Sequence, residues 1–89
     1  MRVGSLLHAL ADPTRLAIVR TLYQEADGRA CGTFGVDVAA STLSHHFKVL
    51  RAAGVIFQED HGTRRWTTLR PDDLNANFPG LLQALAARK

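Results

Sequence analysis

The sequence predicts a mainly α-helical chain with one β-hairpin, in the order α-α-α-α-β-β-α, and three observations predict it. Apolar residues recur at helical spacing from Val3 to Tyr23 and again from Leu43 to Leu50. After Gly54 the pattern changes to β-branched and aromatic runs on either side of His61-Gly62-Thr63. Pro71-Asp72-Asp73 then opens a further helix. With 89 residues, 46% apolar and 21% charged, the chain is expected to form one globular domain over 1–89. A domain of this size buries only about 60–65% of the surface its unfolded chain exposes, so a second subunit would help it.

Val3, Leu6, Leu7 and Leu10 share one face of a first helix, and a subunit contact competes there with simple core packing. Asp12-Pro13 begins the second helix, with Asp12 as N-cap and Pro13 in the first turn, where its missing N–H costs nothing. Leu16, Val19, Leu22 and Tyr23 form its expected apolar stripe, and Arg15 and Arg20 lie off it, in solvent or, for Thr14 and Arg15, near phosphate. Asp27-Gly28 signals a turn. Cys31, Phe34 and Val38 are spaced for a short helix that Gly32 and Gly35 weaken by about 1 kcal/mol each.

Ser41 to Gly54, STLSHHFKVLRAAG, is the stretch with the clearest design. Leu43, Phe47 and Leu50 fall on one side, and Ser44, His45, Lys48 and Arg51 on the other. Ser41 is expected to cap its start and Gly54 to end it in the left-handed conformation. The polar side holds hydroxyls, an imidazole, an ammonium and a guanidinium but no carboxylate, whereas a solvated helix ordinarily mixes both signs. Such a face suits a polyanion: the residues near the start can reach base edges in a ~12 Å major groove, and the later cations can pair with phosphates. A short helix, a turn and this longer helix amount to a helix-turn-helix.

Val55 to Asp60 and Arg64 to Leu69 read as the hairpin, with Gly62 supplying positive φ and Arg64 and Arg65 at the tip. Trp66 reads as a strand-packing residue rather than a base-stacking one. In the last segment Pro79-Gly80 breaks or kinks the helix, and Leu74, Phe78, Leu81, Leu82 and Leu85 form a stripe that so small a core has little room for. It is therefore paired with the first helix as a dimer surface.

Charge is concentrated. Net charge is +3, and residues 41–70 hold five basic and two acidic side chains while the remainder holds six of each. No apolar run approaches the ~20 residues of a membrane span, and the N-terminus lacks the layout of a signal peptide, so the expected location is cytoplasmic. One cysteine excludes an internal disulfide framework and a multi-thiolate metal site within one chain. Adjacent Ser44, His45 and His46 on one helix, without an orienting carboxylate or a glycine-rich phosphate cradle, do not make an enzyme.

Leu10-Ala11-Asp12-Pro13-Thr14-Arg15-Leu16 and the run from Ser41 to Ile56 resemble the ArsR/SmtB winged helix-turn-helix regulators over about residues 5–70. The resemblance implies a homodimeric repressor that binds a double-stranded DNA operator and releases it in response to an inducer. It assigns DNA contacts to Ser41, Thr42, Ser44, His45, His46 and Lys48, with Arg64 and Arg65 on the wing. Arg51, and Thr63 at the wing tip, join that set. His46 lies at the border of the apolar face, where a packed histidine is an equal alternative. The family's paired-thiol and terminal-helix metal sites do not carry over, since the chain has one cysteine and no histidine after His61, and no cofactor is implied. Two alternatives stand beside the repressor: a winged-helix protein-interaction module, and a thiol-responsive sensor acting through Cys31.

Overall fold

A computed structural model of the chain describes residues 2–25, 28–30, 34–35, 38–62 and 64–87, without the side chains of 30, 61, 64, 86 and 87. The elements are α1 (Val3–Leu10), α2 (Pro13–Gln24), β1 (Arg29–Ala30), α3 (Ala40–Ala52), β2 (Ile56–His61), β3 (Arg64–Leu69), α4 (Pro71–Asn77) and α5 (Leu81–Ala87). Together they make a winged helix-turn-helix fold, mainly helical with an antiparallel hairpin.

Asp12 starts α2 as expected. Its side chain accepts the backbone N–H of Arg15 at 3.0 Å, and Pro13 occupies the first turn. The buried stripe is shifted from the expected one: Arg15, Ile18, Val19 and Leu22 point inward, Leu16 is half-buried and Tyr23 is exposed. That set has the i, i+3, i+4, i+7 spacing of one helical face. An arginine at its leading position disguises it in the sequence.

Where a short helix is expected around Cys31, Phe34 and Val38, the described residues show none, and Cys31 itself lies outside them. Arg29 and Ala30 instead form a third strand, β1, antiparallel to β3 with Arg29 opposite Thr67 and Ala30 opposite Trp66. The sheet order is β1-β3-β2. Gly28 makes this third strand possible, because a Cβ there would stand 2.6 Å from the Thr67 carbonyl oxygen and from the Trp66 Nε1. Trp66 is thus a packing residue over the backbone. Phe34 anchors the connection to α3 by an edge contact with Phe47, ring centroids 5.4 Å apart.

Helix α3 begins one residue before the expected cap. Ala39 is its N-cap, with no side-chain hydrogen bond, and Ser41 lies inside the first turn with its side chain exposed. At the other end Gly54 takes φ +80°, its N–H bonds the Arg51 carbonyl, and the Val55 N–H bonds the Leu50 carbonyl. These are the paired bonds of a Schellman stop, and Leu50 and Val55 are both fully buried at it. Burial of Phe47 and Leu50 contributes roughly 2 kcal/mol each.

The core gathers Leu6 and Ala9 of α1, Ile18, Val19 and Leu22 of α2, Phe47 and Leu50 of α3, Ile56 of β2, Leu74 of α4 and Leu82 of α5. Leu6, Leu74 and Leu82, expected at a dimer surface, fill this core instead. Leu10, Phe78, Leu81 and Leu85 are half-buried against it, and only Val3 and Leu7 of the expected set stand clear, 56% and 63% exposed. Arg20, expected in solvent, donates from Nε to the Leu85 carbonyl at 3.1 Å and ties α5 to α2. The last helix is broken into α4 and α5 at Phe78–Gly80, as Pro79-Gly80 suggested.

Gly28 and Gly62 both hold positive φ, at +88° and +68°, but nothing lies within 4 Å of a Cβ added at Gly62. Gly62→Ala is therefore expected to lower unfolding free energy by about 1 kcal/mol, the cost of the backbone conformation alone. Gly28→Ala adds a clash with backbone and is expected to cost about 3 kcal/mol. Urea denaturation of the two variants checks the difference.

Candidate nucleic-acid interface

The burial of Phe47 and Leu50 turns the opposite side of α3 outward, so that Ser41, Thr42, Ser44, His45, Lys48 and Arg51 are all exposed. No acidic residue occurs anywhere in the helix. Its N-terminus carries no capping side chain, which leaves first-turn amides and two hydroxyls facing outward.

The wing stands beside this face. Ile56 to His61 pair with Leu69 to Arg64 in strict register, with His61 opposite Arg64 at the tip. Arg51 donates to the Gln58 side-chain oxygen, and Gln58 Nε2 donates to Thr67 Oγ1 at 3.1 Å, so the end of α3 is tied to the middle of both wing strands. Between helix and wing lies a cleft of about 370 Å³ with Ser44, Lys48, Arg51, Gln58 and Arg65 on its walls. Arg65 pairs with Asp60 at 3.4 Å in an exposed contact, which water screens to a small fraction of its Coulomb energy. The backbone of Arg64 is in β3 beside the tip, and Thr63 lies outside the described residues.

His46 takes the packed position rather than the DNA-contacting one, with Arg15 instead of backbone as its partner. It is 8% exposed and faces inward, as does Arg15, also 8% exposed and expected in solvent or near phosphate. Arg15 donates from Nε to the Ala9 carbonyl at 2.8 Å and from Nη2 to the His8 carbonyl at 3.1 Å. Its Nη1 is 3.0 Å from His46 Nδ1. An arginine has no lone pair to offer, so Nδ1 accepts and the imidazole proton sits on Nε2, 3.8 Å from the Asp12 carboxylate. These contacts escaped the sequence reading because Arg15 and His46 are 31 residues apart. The one sequence signal is that Arg15 leads the Ile18, Val19, Leu22 face while His46 borders that of Phe47 and Leu50.

Among the described residues no three His, Cys, Asp or Glu side chains cluster closely enough to hold a metal ion. Among them also no helix is long and apolar enough to cross a membrane.

These features define a winged helix-turn-helix protein with an exposed, acid-free helix face beside its wing. The family model described as a helix-turn-helix domain matches residues 10–58. The HTH-type transcriptional regulator YceK of Bacillus subtilis is 37% identical over 84 residues, which cover 92% of this chain and 84% of that protein. A solved ArsR family transcriptional regulator superposes with a TM-score of 0.74 at 21% identity, covering 98% of this chain and 93% of the other. The homodimeric winged helix-turn-helix DNA-binding domain of a possible ArsR-family regulator from Mycobacterium bovis superposes at 0.75 with 27% identity, covering 94% and 77%. The chain belongs to the helix-turn-helix transcriptional regulators of the ArsR type, a family of DNA-binding regulators and not of enzymes.

The Asp12 carboxyl is held below its ordinary range chiefly by the Arg15 backbone N–H it accepts, against an opposing effect of desolvation. A carboxyl depressed in the folded state stabilises the fold above its unfolded pKa, and that contribution is lost as pH falls through the folded value. Wild-type melting temperature should thus fall on acidification below about pH 4. Asp12→Asn keeps a capping oxygen but does not titrate, so its melting temperature should fall less steeply over the same interval.

Proposed function

We propose that this protein is a homodimeric repressor that reads a two-fold related operator with α3 of each subunit and lies along the adjacent backbone with the wing. The observation that carries the reading is the exposed face of α3, made of hydroxyls, imidazole and cations without a carboxylate, next to a wing that adds Arg65. Ser41, Thr42, Ser44 and His45 are assigned to base edges and nearby phosphate, and Lys48, Arg51, Thr63, Arg64 and Arg65 to phosphates. His46 is left out of this set because its ring is turned to Arg15.

Exposed Val3 and Leu7 on α1 support a subunit contact, as does the homodimeric state of the Mycobacterium bovis relative. Half-buried Leu81 and Leu85 of α5 would complete it. Family membership supports release of DNA on meeting an inducer, and action in the cytoplasm, where operators lie.

The test is selection of duplexes from a random-sequence library, followed by titration of the enriched and random duplexes over a range of salt. A specific regulator is expected to prefer the enriched duplex by ~10³ or more. His45→Ala should chiefly lower that preference, whereas Lys48→Ala should weaken both duplexes alike and reduce the salt slope by about one. Failure to enrich any sequence at low ionic strength would overturn the reading.

Leu7→Glu places a charge on the proposed subunit contact without touching α3. Sedimentation is expected to show a monomer, and affinity for the enriched duplex should drop by about 10²-fold or more as two linked half-sites become separate. A dimer that persists with Glu at this position would exclude α1 from the interface.

A further inference from the structure

The Arg15 side chain presents an anomaly that its family membership leaves open. It occupies the leading position of the buried face formed with Ile18, Val19 and Leu22, where an aliphatic residue would fill the space without desolvating a charge. Yet each nitrogen of the guanidinium has a partner. Its three nitrogens meet the Ala9 carbonyl, the His8 carbonyl and His46 Nδ1 at 2.8, 3.1 and 3.0 Å, so one planar group joins the C-terminal end of α1, the first turn of α2 and the middle of α3. Asp12 closes the ring, accepting the Arg15 backbone N–H at 3.0 Å and facing His46 Nε2 at 3.8 Å.

His46 follows His45 directly and lies two residues from both Ser44 and Lys48, which share the outward face of α3. A helix about 10–12 Å across that turns by roughly 20° moves its outer side chains by about 2 Å, enough to break a hydrogen bond to a base edge. Apolar contacts at Phe47 and Leu50 resist displacement but are indifferent to small rotations, since they have no direction. A hydrogen bond between a planar guanidinium and an imidazole lone pair does have one. We propose that Arg15 is a positioning residue of the DNA interface: acting through His46 Nδ1, it sets the rotation of α3 about its axis and so the register in which the outer side chains meet base edges. This inference rests on the proposed reading of DNA by α3. It assigns Arg15 to sequence discrimination without any contact to DNA.

The test compares Arg15→Met, which keeps apolar bulk but no donors, with His46→Leu, which removes the acceptor, and His46→Asn, whose side-chain oxygen restores one near the Nδ1 position. Each is measured on the enriched and the random duplex at one salt concentration, below its own melting temperature. Arg15→Met and His46→Leu are expected to lower the preference for the enriched duplex by about tenfold or more, with random-duplex affinity within about twofold of wild type, and His46→Asn to recover most of the loss. In parallel, ¹⁵N spectra of the His46 ring should show protonated Nε2 and bare Nδ1 in the wild type, and a mixture of tautomers in Arg15→Met.

An unchanged preference in His46→Leu, or an Asn variant as poor as the Leu variant, would overturn the proposal and leave the cluster a role in stability alone. A parallel loss on both duplexes in Arg15→Met would overturn it too, by showing a direct phosphate contact. Should Arg15→Met not fold, the two His46 variants decide. If the wild type enriches no duplex, the reading of DNA itself falls first, an outcome distinct from wild-type preference that the variants share.

Discussion

The contact between Arg15 and His46 is the place where the structure stops being three amphipathic helices and becomes one scaffold with a fixed orientation. Hydrophobic burial at Phe47, Leu50 and their neighbours supplies the energy that holds α3 against the body, but it specifies area rather than angle. The directed bonds come from Arg15, which is satisfied by the Ala9 and His8 carbonyls at the end of α1, the latter also accepting the Ala11 N–H, and by an imidazole of α3. None of the buried side-chain polar atoms among the described residues lacks a partner, so the desolvation of this charge is offset by a hydrogen bond at each guanidinium nitrogen. One side of α3 is thereby immobilised while the other stays open to a partner.

The wing is attached to the same helix from its far end. Arg51, Gln58 and Thr67 form a polar chain from the last turn of α3 across β2 to β3, and β1 extends the sheet on the other side of β3. Helix and hairpin are therefore presented as one surface. On it Lys48, Arg51 and Arg65 surround the intervening cleft, and the nearby carboxylate, Asp60, is paired with Arg65. A clustered field of one sign speeds encounter with a polyanion and is screened by salt, which is how a modest net charge of +3 becomes useful.

What was legible in the sequence was what local chemistry decides. Asp12-Pro13 starts a helix, Gly54 ends one, Gly62 turns the hairpin, and Pro79-Gly80 interrupts the last segment, each through a backbone preference expressed within a few residues. What was not legible depends on partners far away along the chain. A leucine stripe announces that a face is buried but not against what, so Leu6, Leu74 and Leu82 looked like subunit contacts and proved to be core. A two-residue strand such as β1 has no periodicity to read, and its existence turns on the fit of Gly28 beneath Trp66. Arg15 and His46 are each polar enough to pass for surface residues, and only their pairing explains why both are inside.

The central claim is that the outward face of α3 and the wing form one duplex-binding surface. Titration of duplex DNA into uniformly ¹⁵N-labelled protein, followed by amide chemical shifts, tests it most directly. The account predicts changes concentrated in residues 40–51 and 61–65, diminishing as salt is raised, with α5 largely unmoved. Changes centred on α4 and α5, or none at low ionic strength, would contradict it.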